Sequence, residues 1–361
     1  MKGGNMDSDG YDRKKASALA RQVGSDFGAT MTVALAYVGD RLGLFKALAP
    51  GASLTTTEIA AQTELKERYV REWAATMAAA GYLDYSPDEA RFRMSPEQAM
   101  VLANEDTTFF TGGAFQYAVA CYRQLEKLMG AFQNGGGVPF SDFGPDVVEG
   151  IERLFHVGYE TWVANQWIPA VPDIQQKLED GGQAAEVGCG AGQCLIPVAS
   201  AFPTARFHGY DVDAASLERA QEKAKGAGIG ERLSFERIAA ESLPFEERFD
   251  LVMAFNCIHD MAQPRAALAG IRRVLKPNGA FLWSEAEVSD QLEDNLNTFG
   301  RTLYGASTMH CLTVSLAQDG EGLGSAIGEN LAQRLAMEAG FATFEKLPIK
   351  NPYHQVFLAR P

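Results

Sequence analysis

The chain lacks the marks of several large protein classes. It has only five cysteines, Cys121, Cys189, Cys194, Cys257 and Cys311. Their number is odd, they are scattered and no C-x-x-C occurs, which fits reduced thiols and speaks against a disulfide framework or a cysteine zinc site. The five histidines show neither H-E-x-x-H nor any paired spacing, so no metal is expected. No apolar run approaches the roughly eighteen residues of a membrane span. Met1 to Lys15 is polar and glycine-rich, and reads as a loose tail, not a signal peptide. Positive charge is scarce: 32 Lys and Arg stand against 46 Asp and Glu, for a formal net charge of −14. That balance argues against a nucleic-acid-coating surface or attraction to an anionic membrane. A soluble, cytoplasmic protein is expected.

What is present is apolar material and glycine. Hydrophobic residues make up 46% of 361, enough for two domains or for one with a large appendage. The most telling stretch is Glu186-Val187-Gly188-Cys189-Gly190-Ala191-Gly192-Gln193-Cys194. It follows a short apolar segment, Ala184 to Val187, and precedes a helix-compatible run, Leu195 to Phe202. A second strand-like run, Ala205 to Tyr210, ends at Asp211, nineteen residues past Gly192. Glycine lets a ligand approach the backbone, because no Cβ intervenes. An acid at the end of the second strand suits a ribose diol. The dinucleotide fingerprint G-x-G-x-x-G/A fails, since Gln193 takes its third glycine position.

Alternating strands and helices continue: strands at Arg232 to Ile238, Phe249 to Phe255 and Gly279 to Glu285, with helices at Ala214 to Ala227 and Pro264 to Leu275. This is the pattern of a doubly wound α/β sheet, which binds ligands outside the carboxyl ends of its strands. A helix from Ala326 to Ala339 and two strands, Phe341 to Leu347 and Tyr353 to Ala359, close the chain.

The N-terminal third reads differently. Phe27 to Leu48 is helical, ending at Pro50-Gly51. Thr55-Thr56-Thr57-Glu58 is a capping box before a short helix, Ile59 to Gln62. A second helix, Lys66 to Ala80, ends at Gly81, and Tyr82 to Met94 reads as a small β-wing. Helix, short helix, helix and wing make a winged helix. It serves either to bind DNA or as a scaffold for dimerisation. Residues 1–100 carry 12 basic and 13 acidic side chains, where a DNA reader carries a basic face. Glu67 and Glu72 alternate with Lys66, Arg68 and Arg71, as on a solvated ion-paired surface. Asp106 to Ile168 is largely helical and aromatic, broken at Gly135-Gly136-Gly137. A helix from Val147 to Trp167 sets His156, Tyr159, Val163 and Trp167 at helical spacing with Trp162 nearby, either as core or as a substrate wall.

G-x-G-x-G preceded by Glu186 resembles motif I of the class I S-adenosylmethionine (SAM) methyltransferases. With the winged helix, the chain resembles a bacterial family of methyltransferases often labelled transcriptional regulators. Further matching segments are Gly39-Asp40-Arg41-Leu42-Gly43-Leu44-Phe45, Arg68-Tyr69-Val70-Arg71-Glu72-Trp73, His259-Asp260-Met261 and Tyr304-Gly305-Ala306-Ser307-Thr308-Met309. Plant-type small-molecule O-methyltransferases share this layout. The resemblance implies a winged-helix dimerisation domain at 16–100, a helical connector and pocket wall at 101–180, and a Rossmann-like SAM-binding domain at 181–361. It implies a homodimer that uses SAM, releases S-adenosylhomocysteine and acts on a small-molecule acceptor.

Role by role, Glu186, Gly188, Gly190 and Gly192 should surround the amino-acid part of SAM. Asp211 should accept from the ribose hydroxyls and Val212 should lie against the adenine. Ala240 and Asn256 complete the expected cofactor contacts. The family pattern D-A-x-x-L-P carries an acid where this chain has Ala239, so backbone groups or Glu241 must serve the adenine amine. His259 is the expected general base, since imidazole takes a proton near neutrality. Asp260 should orient it, and Glu285 should orient it or bind substrate. Tyr159, Trp162, Tyr304 and His310, with Asn295, are the expected substrate wall; the segment Val288 to Gly324 is alternatively a dimer contact. A hydroxyl or thiol acceptor fits a base best. An amine N-methyltransferase, a SAM-sensing transcriptional regulator and a macromolecular methyltransferase are the competing readings.

Overall fold

The structure, a computed structural model, describes residues 10–49 and 51–361. These pack as two compact units: the described residues up to Val119 together with Glu149–Leu154, and Ala120–Val148 together with Phe155–Pro361. The segment 101–180 is thus shared between the units.

The first unit begins with a helix at Arg13–Arg41, capped by Asp12, whose carboxylate accepts from the N–H groups of Lys14 and Lys15. The polar segment expected to be loose is therefore helical from Arg13; residues 1–9, and Pro50 of the expected stop, lie outside the described residues. Gly43 adopts a left-handed turn and splits the expected Phe27 to Leu48 helix, so that Leu44–Leu48 starts anew. After β1 (Ser53–Leu54), the Thr55–Glu58 capping box opens the helix Thr56–Thr63. The helix Glu67–Ala79 follows, then β2 (Asp84–Ser86) and β3 (Arg91–Arg93). The strand order β1-β3-β2 makes the wing.

The apolar face of Glu67–Ala79, through Val70, Trp73 and Met77, closes over Phe45, Leu48 and Ile59. Each such buried side chain contributes roughly 1.5–3 kcal/mol. Gly39 allows the fit, since a Cβ there would stand 2.5 Å from the Trp73 indole nitrogen. Arg153 grips Asp40 through two nitrogens at 2.7 and 2.8 Å and reaches Glu105 at 3.0 Å, tying Glu149–Leu154 into this unit.

The second unit is built on seven strands: β4 (Gln183–Val187), β5 (Arg206–Asp211), β6 (Leu233–Arg237), β7 (Phe249–Phe255), β8 (Leu275–Ala286), β9 (Thr343–Lys346) and β10 (His354–Arg360). Their order is β6-β5-β4-β7-β8-β10-β9. The first five are parallel, and β10 pairs antiparallel with both β8 and β9. Rossmann-like sheet and winged helix are both as the sequence implied. The strand order reverses between β4 and β7, which is where ligands bind in such sheets.

Two elements differ from expectation. The helix expected from Val147 to Trp167 runs Pro145–Trp162 and then widens over Val163–Trp167. The segment Val288 to Gly324 holds two short helices, Thr298–Ala306 and Leu312–Leu316, joined by a widened turn at Ser307–Cys311.

Candidate functional site

The carboxyl end of β4 turns sharply. The N–H groups of Gly188 and Cys189 both donate to the Tyr210 carbonyl, at 2.8 and 3.2 Å, and Gly190 N–H donates to Asp211 Oδ2 at 2.8 Å. Gly188 has φ +67°, and a Cβ there would come 2.7 Å from Cys257 Sγ. Conformation and space both demand glycine. Gly190 and Gly192 complete the turn.

Glu186 lies beneath this turn, 4% exposed, and its Oε2 has no hydrogen-bond partner. Burial pushes its carboxyl well above the usual range, and Asp211 nearby adds to that. Such an oxygen is costly to leave unpaired. An ammonium group placed over it would satisfy both its charge and its lone pairs. Asp211 is engaged through Oδ2 with Gly190 and through Oδ1 with the Asp213 N–H at 2.9 Å. Burial raises its carboxyl, while the N–H groups of Asp213, Gly190 and Val212 oppose the rise. Val212 beside it is 57% exposed, an apolar landing for a flat ring. Ala240 is buried in a short turn, Ala240–Ser242, and its carbonyl abuts Gly270.

Beyond β7 the chain makes a short turn, Ile258–Asp260. Phe255 pairs with Ser284, so this turn emerges beside Glu285 on the parallel neighbour β8. His259 Nδ1 lies 2.5 Å from Glu285 Oε2, and Trp283 Nε1 donates to Glu285 Oε1 at 2.8 Å. All three are buried, Glu285 and Trp283 completely. Burial, the largest single influence, would lower the imidazole, but the Glu285 carboxylate and the Cys311 sulfur together raise it and hold His259 well above its ordinary value. Burial pushes Asp260 up to about 7, against the pull of His259.

Asn256, at φ +50°, is turned toward a group of rings. Its Nδ2 donates to the Tyr159 hydroxyl at 2.6 Å and lies 3.2 Å from His354 Nδ1. Asn256 thus contacts the aromatic residues, while its neighbour Cys257 donates through Sγ to the Val187 carbonyl at the end of β4. Tyr159 stacks on Phe255, and His354 sits against Phe155, Tyr159, Trp162 and Trp167 at centroid distances of 5.6 to 5.8 Å. Burial lowers His354 to about 4, so it is neutral; its Nε2 and the Trp167 Nε1 have no partner. Tyr159 and Trp162 are therefore brought together.

Tyr304 and His310 are not with them. The Tyr304 hydroxyl accepts from Asn295 Nδ2 at 3.0 Å, and Asn295 also bonds both backbone groups of Ser289. This pair braces its own segment. His310 lies between the rings of Phe140 and Phe143 and beside Cys311. Two site residues escaped the sequence reading: Trp283 and His354. Trp283 carried a signal, two residues before Glu285 on the same strand face. Among the described residues no group of three or more His, Cys, Asp or Glu is set to hold a metal, and no helix is long and apolar enough to cross a membrane.

Known proteins bear on this arrangement. Residues 184–279 match a family described as methyltransferase domain, and residues 29–104 match one described as Rv2258c-like winged HTH domain. A stretch of 121 residues is 31% identical to the biotin biosynthesis bifunctional protein BioHC of Teredinibacter turnerae, covering 31% of this chain and 21% of that protein. The chain spans less than half the length of the first curated relatives it matches. Solved structures match almost end to end at low identity. Mitomycin 7-O-methyltransferase superposes with a TM-score of 0.72 at 16% identity, over 96% of this chain and 99% of that one. Human N-acetylserotonin methyltransferase in complex with SAM does so with a TM-score of 0.68 at 17% identity, over 99% of each chain. At such identity the likeness speaks for the fold, and the family matches speak for the domains. The chain thus carries a segment that matches a methyltransferase domain, residues 184–279, after one that matches a winged HTH domain, residues 29–104, on a fold shared with these solved structures.

Proposed function

We propose that this protein transfers a methyl group from SAM to a hydroxyl or thiol of a small molecule. The observation that carries the reading is His259, held by the fully buried Glu285, which Trp283 holds in turn, at the carboxyl end of β7. Glu186 and the glycine turn fit the cofactor: the unpaired Oε2 suits its ammonium, and Gly188, Gly190 and Gly192 let its amino-acid end lie against backbone. Asp211 and Val212 suit its ribose and adenine, with Ala240 closing that side.

When bound, SAM supplies a methyl group already activated by its sulfonium. The chain's own residues then have three tasks: to align the nucleophile, to exclude water and to take a proton. His259 keeps the Nδ1 proton toward Glu285 and accepts the acceptor's proton at Nε2. Glu285 steadies the imidazolium that forms. Asp260, pushed up to about 7 by its burial, orients the turn. Tyr159, Trp162 and their neighbouring rings provide a flat apolar wall, while Tyr304 and His310 act from the covering segment. Structural relatives named for mitomycin and N-acetylserotonin methylation support a small organic acceptor. Titration calorimetry with S-adenosylhomocysteine, followed by a radiolabelled-methyl assay on lysate split into small-molecule and macromolecular fractions, tests it. Label confined to the macromolecular fraction would overturn the reading.

The same proposal includes a cytoplasmic homodimer, with working domains at 16–100, 101–180 and 181–361. Leu19, Val23, Phe27 and Met31 support the dimer, as an exposed apolar row at four-residue spacing on the helix Arg13–Arg41. Sedimentation equilibrium decides it.

A SAM-sensing regulator is the second reading, favoured by the winged HTH match. Against it, Arg71 pairs with Glu67 and Arg68 with Glu72 along the exposed side of Glu67–Ala79, so these cations already have partners. Salt-sensitive, sequence-specific gel shifts that respond to SAM would favour it.

A further inference from the structure

The rings around His354 hold hydrogen-bond donors that nothing in the chain uses. Asn256 Nδ2 can only donate, and it lies 3.2 Å from His354 Nδ1. Nδ1 is therefore the accepting nitrogen. Burial keeps this imidazole neutral, so its one proton sits on Nε2. That N–H is buried and has no partner. The Trp167 Nε1–H, a donor by its chemistry, is buried without a partner too. The Tyr159 hydroxyl accepts from Asn256 at 2.6 Å, which leaves its own proton to give. The rings of Trp167 and Tyr159 lie 5.8 and 5.7 Å from that of His354, centroid to centroid. Three donors thus stand within one group of rings. A buried donor without an acceptor forfeits a bond it had in water, so such groups are uncommon. What this place lacks is an acceptor oxygen.

The surroundings set the shape of the molecule that would bring one. Trp162 stacks with Trp167 at 6.3 Å and Tyr159 with Phe255 at 5.9 Å, so the walls are flat faces. The group is not sealed: Phe155, Trp162 and Ile349 are only partly buried against it. Ile349 also lines a cleft of about 860 Å³, formed by residues 347–352 with Glu287, Glu329 and Lys346. That volume lies in the range of small-molecule sites. The same loop runs on into His354, so cleft and rings share one wall.

We infer that His354 Nε2, with Trp167 Nε1 beside it, reads a carbonyl-type oxygen on a flat small molecule seated against these rings. The methyl acceptor then carries such an oxygen apart from the group that is methylated. His354 is a specificity-determining residue, and Asn256 acts through it by fixing which nitrogen carries the proton. A molecule with a methylene in place of the carbonyl keeps the stacking and leaves the donors unpaired. The inference rests on the reading of Tyr159 and Trp162 as the acceptor's wall, but the binding it describes needs neither cofactor nor methyl transfer.

Two phenols separate oxygen reading from stacking. 4-Hydroxyacetophenone and 4-ethylphenol share ring, hydroxyl and size, and differ in the carbonyl oxygen. Each is titrated into the full-length protein with nitrogen-15 in its tryptophans, the Trp167 indole signal being identified by its loss in Trp167→Phe. The ketone should move that signal downfield and bind roughly tenfold tighter than ethylphenol. His354→Phe should remove the preference and keep ethylphenol binding. Equal affinity for the two phenols, or a Trp167 signal that neither moves, overturns the inference. Absent S-adenosylhomocysteine binding would instead sink the methyl-transfer reading and leave this comparison standing. If His354→Phe does not fold, the two phenols on the wild type alone decide.

Discussion

Two ion pairs of this molecule contain the same kinds of charge and lead different lives. Arg68 and Glu72 meet one turn apart on a helix surface, with side chains 66% and 67% exposed. His259 and Glu285 meet across two strand ends, with side chains 6% and 0% exposed. Water already solvates the first pair, so forming it changes little, and salt screens what remains. The second pair has left water, so each member depends on the other and neither is replaceable alone. The surface pair therefore belongs to solubility. The buried pair holds a proton at a chosen place, as the proposed proton transfer requires.

The comparison can be broken in graded ways. The largest effect is expected at the turn proposed to hold the cofactor. Gly188→Arg fills the space before Cys257, and calorimetry should show no S-adenosylhomocysteine binding. Retained affinity would move the cofactor elsewhere. Next, His259→Ala should keep that binding and lower kcat by roughly 10²–10⁴-fold. Unchanged turnover would remove His259 from the chemistry.

Glu285→Ala leaves a buried imidazole unpaired and should cost about 3–5 kcal/mol in denaturant unfolding. In the milder Glu285→Gln, the rise of kcat/KM with pH should begin lower than in the wild type, because the carboxylate no longer raises the imidazole. A coincident profile would show that Glu285 does not tune the base.

The pH dependence of stability is subtler. His259 is held above its unfolded value of about 6.5, so the pair stabilises fully below that pH and the contribution is lost as pH rises through the folded value. Melting temperatures from pH 6 to 9 should therefore fall more in the wild type than in His259→Gln. Equal slopes would contradict the assignment. The smallest effect belongs to the surface pair: Arg68→Ala should leave the melting temperature within experimental error.

How much of this could be read from the residues follows from distance along the chain. The turn Gly188 to Gly192 and the acid Asp211 were legible because one β-α-β unit contains them, and its period and glycines are local signals. The capping box Thr55–Glu58 was legible for the same reason. His259 and Glu285 were legible as strand-end residues, but their contact depends on the β7–β8 register, which pairs Phe255 with Ser284. His354 arrives on an antiparallel strand almost a hundred residues after Asn256, and no periodicity announces it. Tyr304 and Asn295 illustrate the converse: polar residues in a covering segment that serve first to hold the segment itself.

Trp283 gives the site an optical voice. Its indole N–H is bound to the same carboxylate that holds His259, and the ring is shut away from solvent. A proton gained or lost on that imidazole changes the field across a chromophore two residues along the chain from the carboxylate's own residue. With Trp73, Trp162 and Trp167 replaced by phenylalanine, the emission colour of the remaining tryptophan would follow the charge state of His259 directly, in a cuvette, without any knowledge of a substrate.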